Sequence, residues 1–105
     1  MPQYAVIQSH EADICPMTNK TVREFLMKTF PGNEALAKKL GVRVLSEIHL
    51  DPDHKAFMLF EAKSAEAVRD FLVQGGYTHY LRTEFHLVTP ISELLAQASA
   101  IPTIY

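Results

Sequence analysis

The sequence predicts an α+β fold in which helices cover one face of a single β-sheet. Three observations support this prediction. Four segments have the alternation or the β-branched and aromatic content of strands. Two amphipathic helical segments lie between them, and clusters of turn residues separate all six. The order is β-α-β-β-α-β, and a chain of 105 residues fits one domain, residues 1–105.

The first strand is predicted from Gln3 to about His10. Because successive side chains of a strand point to opposite faces, its residues divide into two sets. One set is Ala5, Ile7 and Ser9, and the other is Tyr4, Val6, Gln8 and His10.

The first helical segment has two candidate starts. Thr18 or Asn19 is a suitable N-cap, and Thr21 with Glu24 matches a capping box. Pro31-Gly32-Asn33 breaks or kinks the helix, because proline lacks the N–H and crowds the preceding turn. A short second piece, Glu34–Leu40, is predicted to end at Gly41.

The second half of the chain repeats the pattern. Strands at about Val42–Leu50 and Lys55–Ala62 are separated by four residues, which suits a hairpin. Ser64 caps the next helix, and Gly75-Gly76 end it. A fourth strand covers Leu81–Val88. Thr89 as an N-cap, followed by Pro90 at the first helical position, predicts a final helix, about Ile91–Ala98, within a C-terminal helix and tail of about residues 90–105.

Composition excludes several classes of partner. The formal charge is −2 without a long basic run, so nucleic acid binding is not expected. No segment has the roughly 20 apolar residues of a membrane helix. The start of the chain lacks the features of a signal peptide, and Cys15 is the only cysteine. We therefore expect a cytoplasmic protein without an intrachain disulfide.

This order of elements, with right-handed crossovers, is the ferredoxin-like sandwich, whose helices lie on one face of a four-stranded antiparallel sheet. One helical layer shields one face only. Large apolar side chains are nevertheless predicted on both faces: Val6, Phe57, Met58, Leu59, Phe60, Phe85 and Leu87. An uncovered apolar face of this kind usually meets a partner. We expect a homodimer formed through the sheet faces.

The chain resembles the dimeric α/β-barrel superfamily in its element order, its length, the helix start Ser64-Ala65-Glu66-Ala67-Val68 and the ending Thr89-Pro90. The resemblance implies two ferredoxin-like sheets paired face to face, with a cavity on the open face. The superfamily includes haem-degrading and quinol-forming monooxygenases, lactone isomerases and polyketide cyclases. The haem-degrading members use a tryptophan, and this chain has none.

In that layout the first and fourth strands are neighbours, so their polar residues can meet in an apolar chamber. We predict His10, His86, Glu84 and Tyr4 as catalytic residues, and Gln8, Tyr80 and Val6 as ligand contacts. Histidine beside a carboxylate can act as a general base, and tyrosine can donate to an oxyanion. This predicts proton transfer on a small, partly apolar carbonyl or aromatic compound, by an isomerase, a cyclase or a cofactor-free monooxygenase.

Two other functions fit the sequence. The protein is a non-catalytic binding or assembly protein if its own side chains fill the pocket. It is a transition-metal protein if His10, His49 and His86 converge, with Cys15 as a further ligand type. No pair among these residues has a diagnostic spacing, so the leading prediction includes neither a metal nor another cofactor.

Overall fold

The computed structural model describes residues 1–105 and confirms the α+β fold. Its strands are β1 (Gln3–Ser9), β2 (Arg43–Leu50), β3 (Lys55–Glu61) and β4 (Arg82–Val88). Its α-helices are α1 (Lys20–Thr29), α2 (Asn33–Leu40), α3 (Ala65–Gln74) and α4 (Ile91–Gln97). Each predicted element is present, with ends shifted by one or two residues. None of the helices has the length and apolar character needed to cross a bilayer.

The four strands form one antiparallel sheet in the order β2-β3-β1-β4. The central strand β1 pairs with β3 on one side and with β4 on the other, so Ala5 lies opposite Leu59 and His86. A β-bulge interrupts the pairing of β2 with β3 between Val44 and Ser46. This topology is that of the ferredoxin-like sandwich.

The helix ends follow from local side-chain chemistry. Asn19 caps α1, since its side chain accepts a hydrogen bond from the Val22 amide at 3.0 Å. The capping-box alternative at Thr21 is wrong, because the helix already begins at Lys20. Ser64 caps α3 as predicted. At Gly76, where φ is +87°, a Cβ atom would lie 2.9 Å from the Phe25 ring, so glycine suits both the turn and the packing.

The core lies between the sheet and the helices. Alternate residues of β1 and β3 are buried there, together with the apolar stripe of α3: Tyr4, Val6, Met58, Phe60, Val68, Phe71 and Leu72. Phe60 and Phe71 meet edge to face, with ring centroids 5.6 Å apart. This geometry favours aromatic pairs beyond the area that they bury.

The other face of the sheet, which we call the open face, carries no helix. Its centre is apolar and partly exposed, and consists of Ala5, Ile7, Ile48, Phe57 and Leu59. The predicted apolar character of both faces is thereby confirmed. Phe85 and Leu87 lie on the helix side of the sheet with Val6. Both are nevertheless exposed, because they belong to the edge strand β4.

The C-terminal arm, Ile91–Tyr105, follows β4, and the whole chain including this arm is 53 Å long. Its apolar residues Ile91, Leu94 and Leu95 are exposed, and α4 does not pack on the outer strand. The predicted Thr89 cap is wrong, because Pro90 occupies the N-cap position and no side chain caps the helix.

Candidate ligand-binding cavity

A cavity of about 510 Å³ lies between α1 and the helix-side face of the sheet. Its wall is mainly apolar and includes Leu26, Met27, Phe30, Met58 and Leu81. The space exists because α1 stands off the sheet, and no residue of this helix is fully buried. The predicted cavity between the open face and a partner subunit stays a prediction, whereas the space formed within one chain is on the opposite side of the sheet.

Seven polar or titratable side chains interrupt the apolar wall: Gln8, His10, Glu47, His49, Lys55, Tyr77 and Tyr80. Gln8 is 1% exposed, and its amide nitrogen donates a long hydrogen bond of 3.4 Å to the Thr83 hydroxyl. The wall therefore has the composition of a small-molecule site, with an apolar surface and a few fixed polar groups.

Two tyrosines at the cavity have perturbed acidity. The Tyr77 hydroxyl donates to Glu47 Oε2 at 3.0 Å. Burial, followed by the negative charge of Glu47, raises the pKa of Tyr77 well above its usual range. Burial also raises the pKa of Tyr80, and the nearby Cys15 adds to the shift. Both phenols therefore stay protonated at neutral pH and act as hydrogen-bond donors.

The buried Tyr77 predicts a loss of stability in alkali. The ordinary tyrosine pKa is 10.0, whereas the Tyr77 pKa in the folded protein is higher. Above pH 10 the unfolded chain releases the tyrosine proton, whereas the folded protein retains it, so the free energy of unfolding falls as pH rises. One such group contributes a slope of at most about 1.4 kcal/mol per pH unit, and below pH 10 it contributes none.

Denaturant titrations between pH 8 and about 11.5 test this. We expect the Tyr77→Phe variant to lose stability less steeply than the unmodified protein above pH 10. Tyr105→Phe is the matched control, because Tyr105 is fully exposed. Equal slopes for all three proteins would show that Tyr77 has no part in the alkaline transition.

A histidine–carboxylate pair borders the same cavity. His49 Nδ1 lies 2.6 Å from Asp51 Oδ1, at the end of β2. Because an ionised carboxylate only accepts, Nδ1 donates, and in the neutral imidazole the lone pair is then on Nε2. His49 is an exposed residue of the outer strand β2, with 48% of its side-chain surface accessible. It alternates with Glu47 on the helix-side face of the sheet, and this places it at the cavity wall. The strand period indicates this face, whereas no sequence signal gives the position of α1 above the sheet.

The other predicted site residues are divided between two faces. Tyr4 is in the core against Phe85, with ring centroids 5.4 Å apart, and Val6 is fully buried; neither lines the cavity. His86 and Glu84 are 3.5 Å apart on the open face, where His86 is opposite Ala5 and Glu84 opposite Ile7. The single cluster expected from Tyr4, His10, Glu84 and His86 is therefore not formed within one chain.

Gln8, His10 and Tyr80 do line the cavity. The His10 ring is held by Nδ1, which lies 2.9 Å from the Glu11 carbonyl oxygen. The metal set His10, His49 and His86 does not converge, because His86 lies on the opposite face of the sheet. The roles of the predicted residues in ligand binding or catalysis stay predictions.

No protein-family model matches the chain, and no curated protein sequence matches it. Solved structures do. The protein SCO4226 from Streptomyces coelicolor A3(2) is 20% identical over 83% of this chain and 96% of that chain, with a TM-score of 0.56. A muconolactone isomerase is 15% identical over 84% and 88%, with a TM-score of 0.55.

A dimeric ferredoxin-like protein from an uncultured marine organism is 10% identical over 86% of this chain and 96% of that chain, with a TM-score of 0.51. These similarities confirm the predicted class: the chain has a ferredoxin-like α+β fold. The resemblance to the dimeric α/β-barrel superfamily is confirmed at the level of this fold, which hosts more than one function.

Proposed function

We propose that the protein binds a small, largely apolar carbonyl or aromatic compound in the cavity beneath α1 and acts on it by proton transfer. The observation that carries this proposal is the cavity of about 510 Å³ with a mainly apolar wall. Its volume is in the range of small-molecule sites. An assembly protein whose own side chains fill the pocket would lack such a space.

The polar groups have complementary roles in this proposal. Gln8 and the protonated Tyr80 are positioned at the wall to donate to a carbonyl oxygen. His49, oriented by Asp51, presents the lone pair of Nε2 and takes a proton from the carbon next to that carbonyl. The developing enolate oxygen then receives hydrogen bonds from the same donors, which stabilises it. Isomerisation follows when the proton returns to a different carbon of the enolate system. Cyclisation follows when the enolate carbon bonds to a second carbonyl carbon of the same compound, whose oxygen then takes the proton from His49.

Filling the cavity tests ligand binding. Ala56 lies on β3 at the cavity wall, so Ala56→Phe places a ring in the space. We expect γ-lactones and aromatic ketones to raise the melting temperature of the unmodified protein and to leave that of Ala56→Phe unchanged. Ala35→Phe makes the same substitution on the exposed surface of α2 and keeps binding. Equal responses in both variants would place the ligand elsewhere.

Proton transfer has a separate test. With a lactone that binds, nuclear magnetic resonance in D₂O follows exchange of the proton next to the carbonyl. The unmodified protein is expected to catalyse this exchange. His49→Gln is expected to retain binding and to slow exchange by about 100-fold or more, the usual contribution of a general base. Retained exchange in His49→Gln would remove His49 from the mechanism, and loss only in His10→Gln would favour the residue predicted from the sequence.

The structural neighbours include a dimeric ferredoxin-like protein, and the open face supports the same assembly here. Its apolar centre is flanked by charged groups, including the ion pair of Arg43 with Glu61 at 3.8 Å. An apolar centre with a charged border is the usual composition of a protein interface. We therefore propose a homodimer in which the two open faces meet, which also brings Glu84 and His86 of each chain to the interface.

A further inference from the structure

Three residues with metal-ligating side chains converge beside the cavity, although the sequence separates them. His10 follows β1, Cys15 lies in the loop before α1, and His54 lies in the turn between β2 and β3. One ligand atom from each residue, a ring nitrogen or the sulfur, lies within 4.8 Å of the other two. The His10 and His54 rings pack edge to face with centroids 5.2 Å apart.

The backbone holds this cluster together. The His10 amide donates to the His54 carbonyl at 3.2 Å, which joins the end of β1 to the hairpin turn. The Cys15 carbonyl accepts from the amides of Thr18 and Asn19 at 3.0 and 2.7 Å. Arg23 from α1 donates to the carbonyls of Pro16 and Met17. Before Cys15, the Asn19 side chain donates to the Asp13 carbonyl at 3.0 Å, so the loop is held on both sides of the thiol.

The hydrogen bond of His10 suits metal coordination. A carbonyl oxygen only accepts, so Nδ1 donates to Glu11 and the Nε2 lone pair is free. Metal-bound histidines usually have such a donor bond from their other nitrogen, which sets the tautomer and the ring orientation. Cys15 is 5% exposed, and a metal ion would stabilise the thiolate at this buried position.

We propose that Cys15, His10 and His54 form a Zn²⁺ site with an open fourth position next to the cavity. One thiolate and two imidazoles are ligands that zinc prefers. Ordinary zinc bonds place such ligand atoms about 3.3 to 3.6 Å apart, so side-chain rotations that draw them together by about 1 Å complete the site. His10, Pro16 and Tyr80 line the cavity wall, so the open position of the metal site is next to the cavity.

Zinc binding by these three residues is separate from the proposed proton transfer and does not depend on it. A site with three protein ligands keeps a position for water or for an oxygen of a bound compound, as in catalytic zinc centres. It also differs from the set of His10, His49 and His86 considered from the sequence, since it shares only His10 with that set.

The test removes metal from the full chain with a chelator and then adds Zn²⁺ or Co²⁺. We expect one Zn²⁺ per chain by elemental analysis. We expect one Co²⁺ per chain, with the near-ultraviolet charge-transfer absorption of a cobalt–thiolate bond. Cys15→Ser abolishes that absorption. His10→Gln and His54→Asn each weaken Zn²⁺ binding by at least about 100-fold, the upper end of the loss from removing a second-shell partner. Asparagine tolerates the left-handed backbone of His54, whose φ is 55°.

His49→Asn and His86→Asn are matched controls and keep full Zn²⁺ affinity. Circular dichroism establishes that each variant is folded. As a second measurement, Zn²⁺ slows the reaction of Cys15 with a thiol reagent in the unmodified protein and has no effect in His10→Gln. Absence of the cobalt–thiolate band, or Zn²⁺ binding that survives Cys15→Ser unchanged, contradicts the site. If the metal-free protein binds lactones and the metal-free Ala56→Phe variant does not, the proposed function stands without the zinc site.

Discussion

Replacing Phe60 by alanine is expected to destabilise the protein by about 3 to 5 kcal/mol, the usual cost of removing a buried phenylalanine ring. Phe60 has no exposed surface and contacts the Phe71 ring edge to face. A domain of this size is stable by only about 5 to 15 kcal/mol, so the loss is a large fraction of the total. The melting temperature falls by roughly 15 °C or more.

Thermal and urea unfolding measure this effect. Val73→Ala is the matched control, because Val73 lies on the exposed side of α3 and alanine favours the helix. We expect its free energy of unfolding to change by less than about 0.5 kcal/mol. Similar losses in the two variants would mean that the core is not centred on the contact between Phe60 and Phe71.

Leu59→Arg is expected to convert the proposed dimer into a monomer. Leu59 lies at the centre of the open face, next to Ala5 on the neighbouring strand. Burial of about 500 Å² of apolar surface per chain would contribute on the order of 12 kcal/mol before ordering costs. An arginine at that position buries an unpaired charge at a cost of several kcal/mol, which weakens association by at least about 100-fold.

Light scattering and sedimentation at low micromolar protein measure the assembly. Met17→Arg introduces the same charge on an exposed loop and leaves the dimer unchanged. Circular dichroism checks that Leu59→Arg is folded, since its side chain points away from the core. A monomeric unmodified protein would contradict the proposed open-face interface, as would a Leu59→Arg variant that stays dimeric.

Local signals were sufficient to predict the elements of this fold. Pro31 interrupts the first helical segment, Ser64 caps α3, and Gly41 ends α2 in a left-handed conformation, because each effect depends on the residue itself and its immediate neighbours. The N-caps of α1 and α4 were harder to predict, because residues suited to the N-cap position lie only one to three residues apart. The sheet order followed from the chirality and length of the connections.

The site was less predictable, because it depends on register and on where a helix sits above the sheet. Alternation alone cannot tell which face of β4 joins which face of β1; the pairing of Gln8 with Thr83 puts Glu84 and His86 on the other side from Tyr4. His10 and Cys15 lie in the connection between β1 and α1, and His54 lies in the turn between β2 and β3. Loops have no periodic pattern, so the sequence did not indicate that these three residues converge.

The single cysteine has a consequence for solution studies. Cys15 is buried within a loop that hydrogen bonds hold to α1, so a thiol reagent reaches the sulfur only when this loop opens. In the absence of metal, the labelling rate in the native state is then the intrinsic rate of the free thiol multiplied by the fraction of time that the loop is open. Because the chain has one thiol, its labelling rate reports the opening of the loop that contributes Pro16 to the cavity wall.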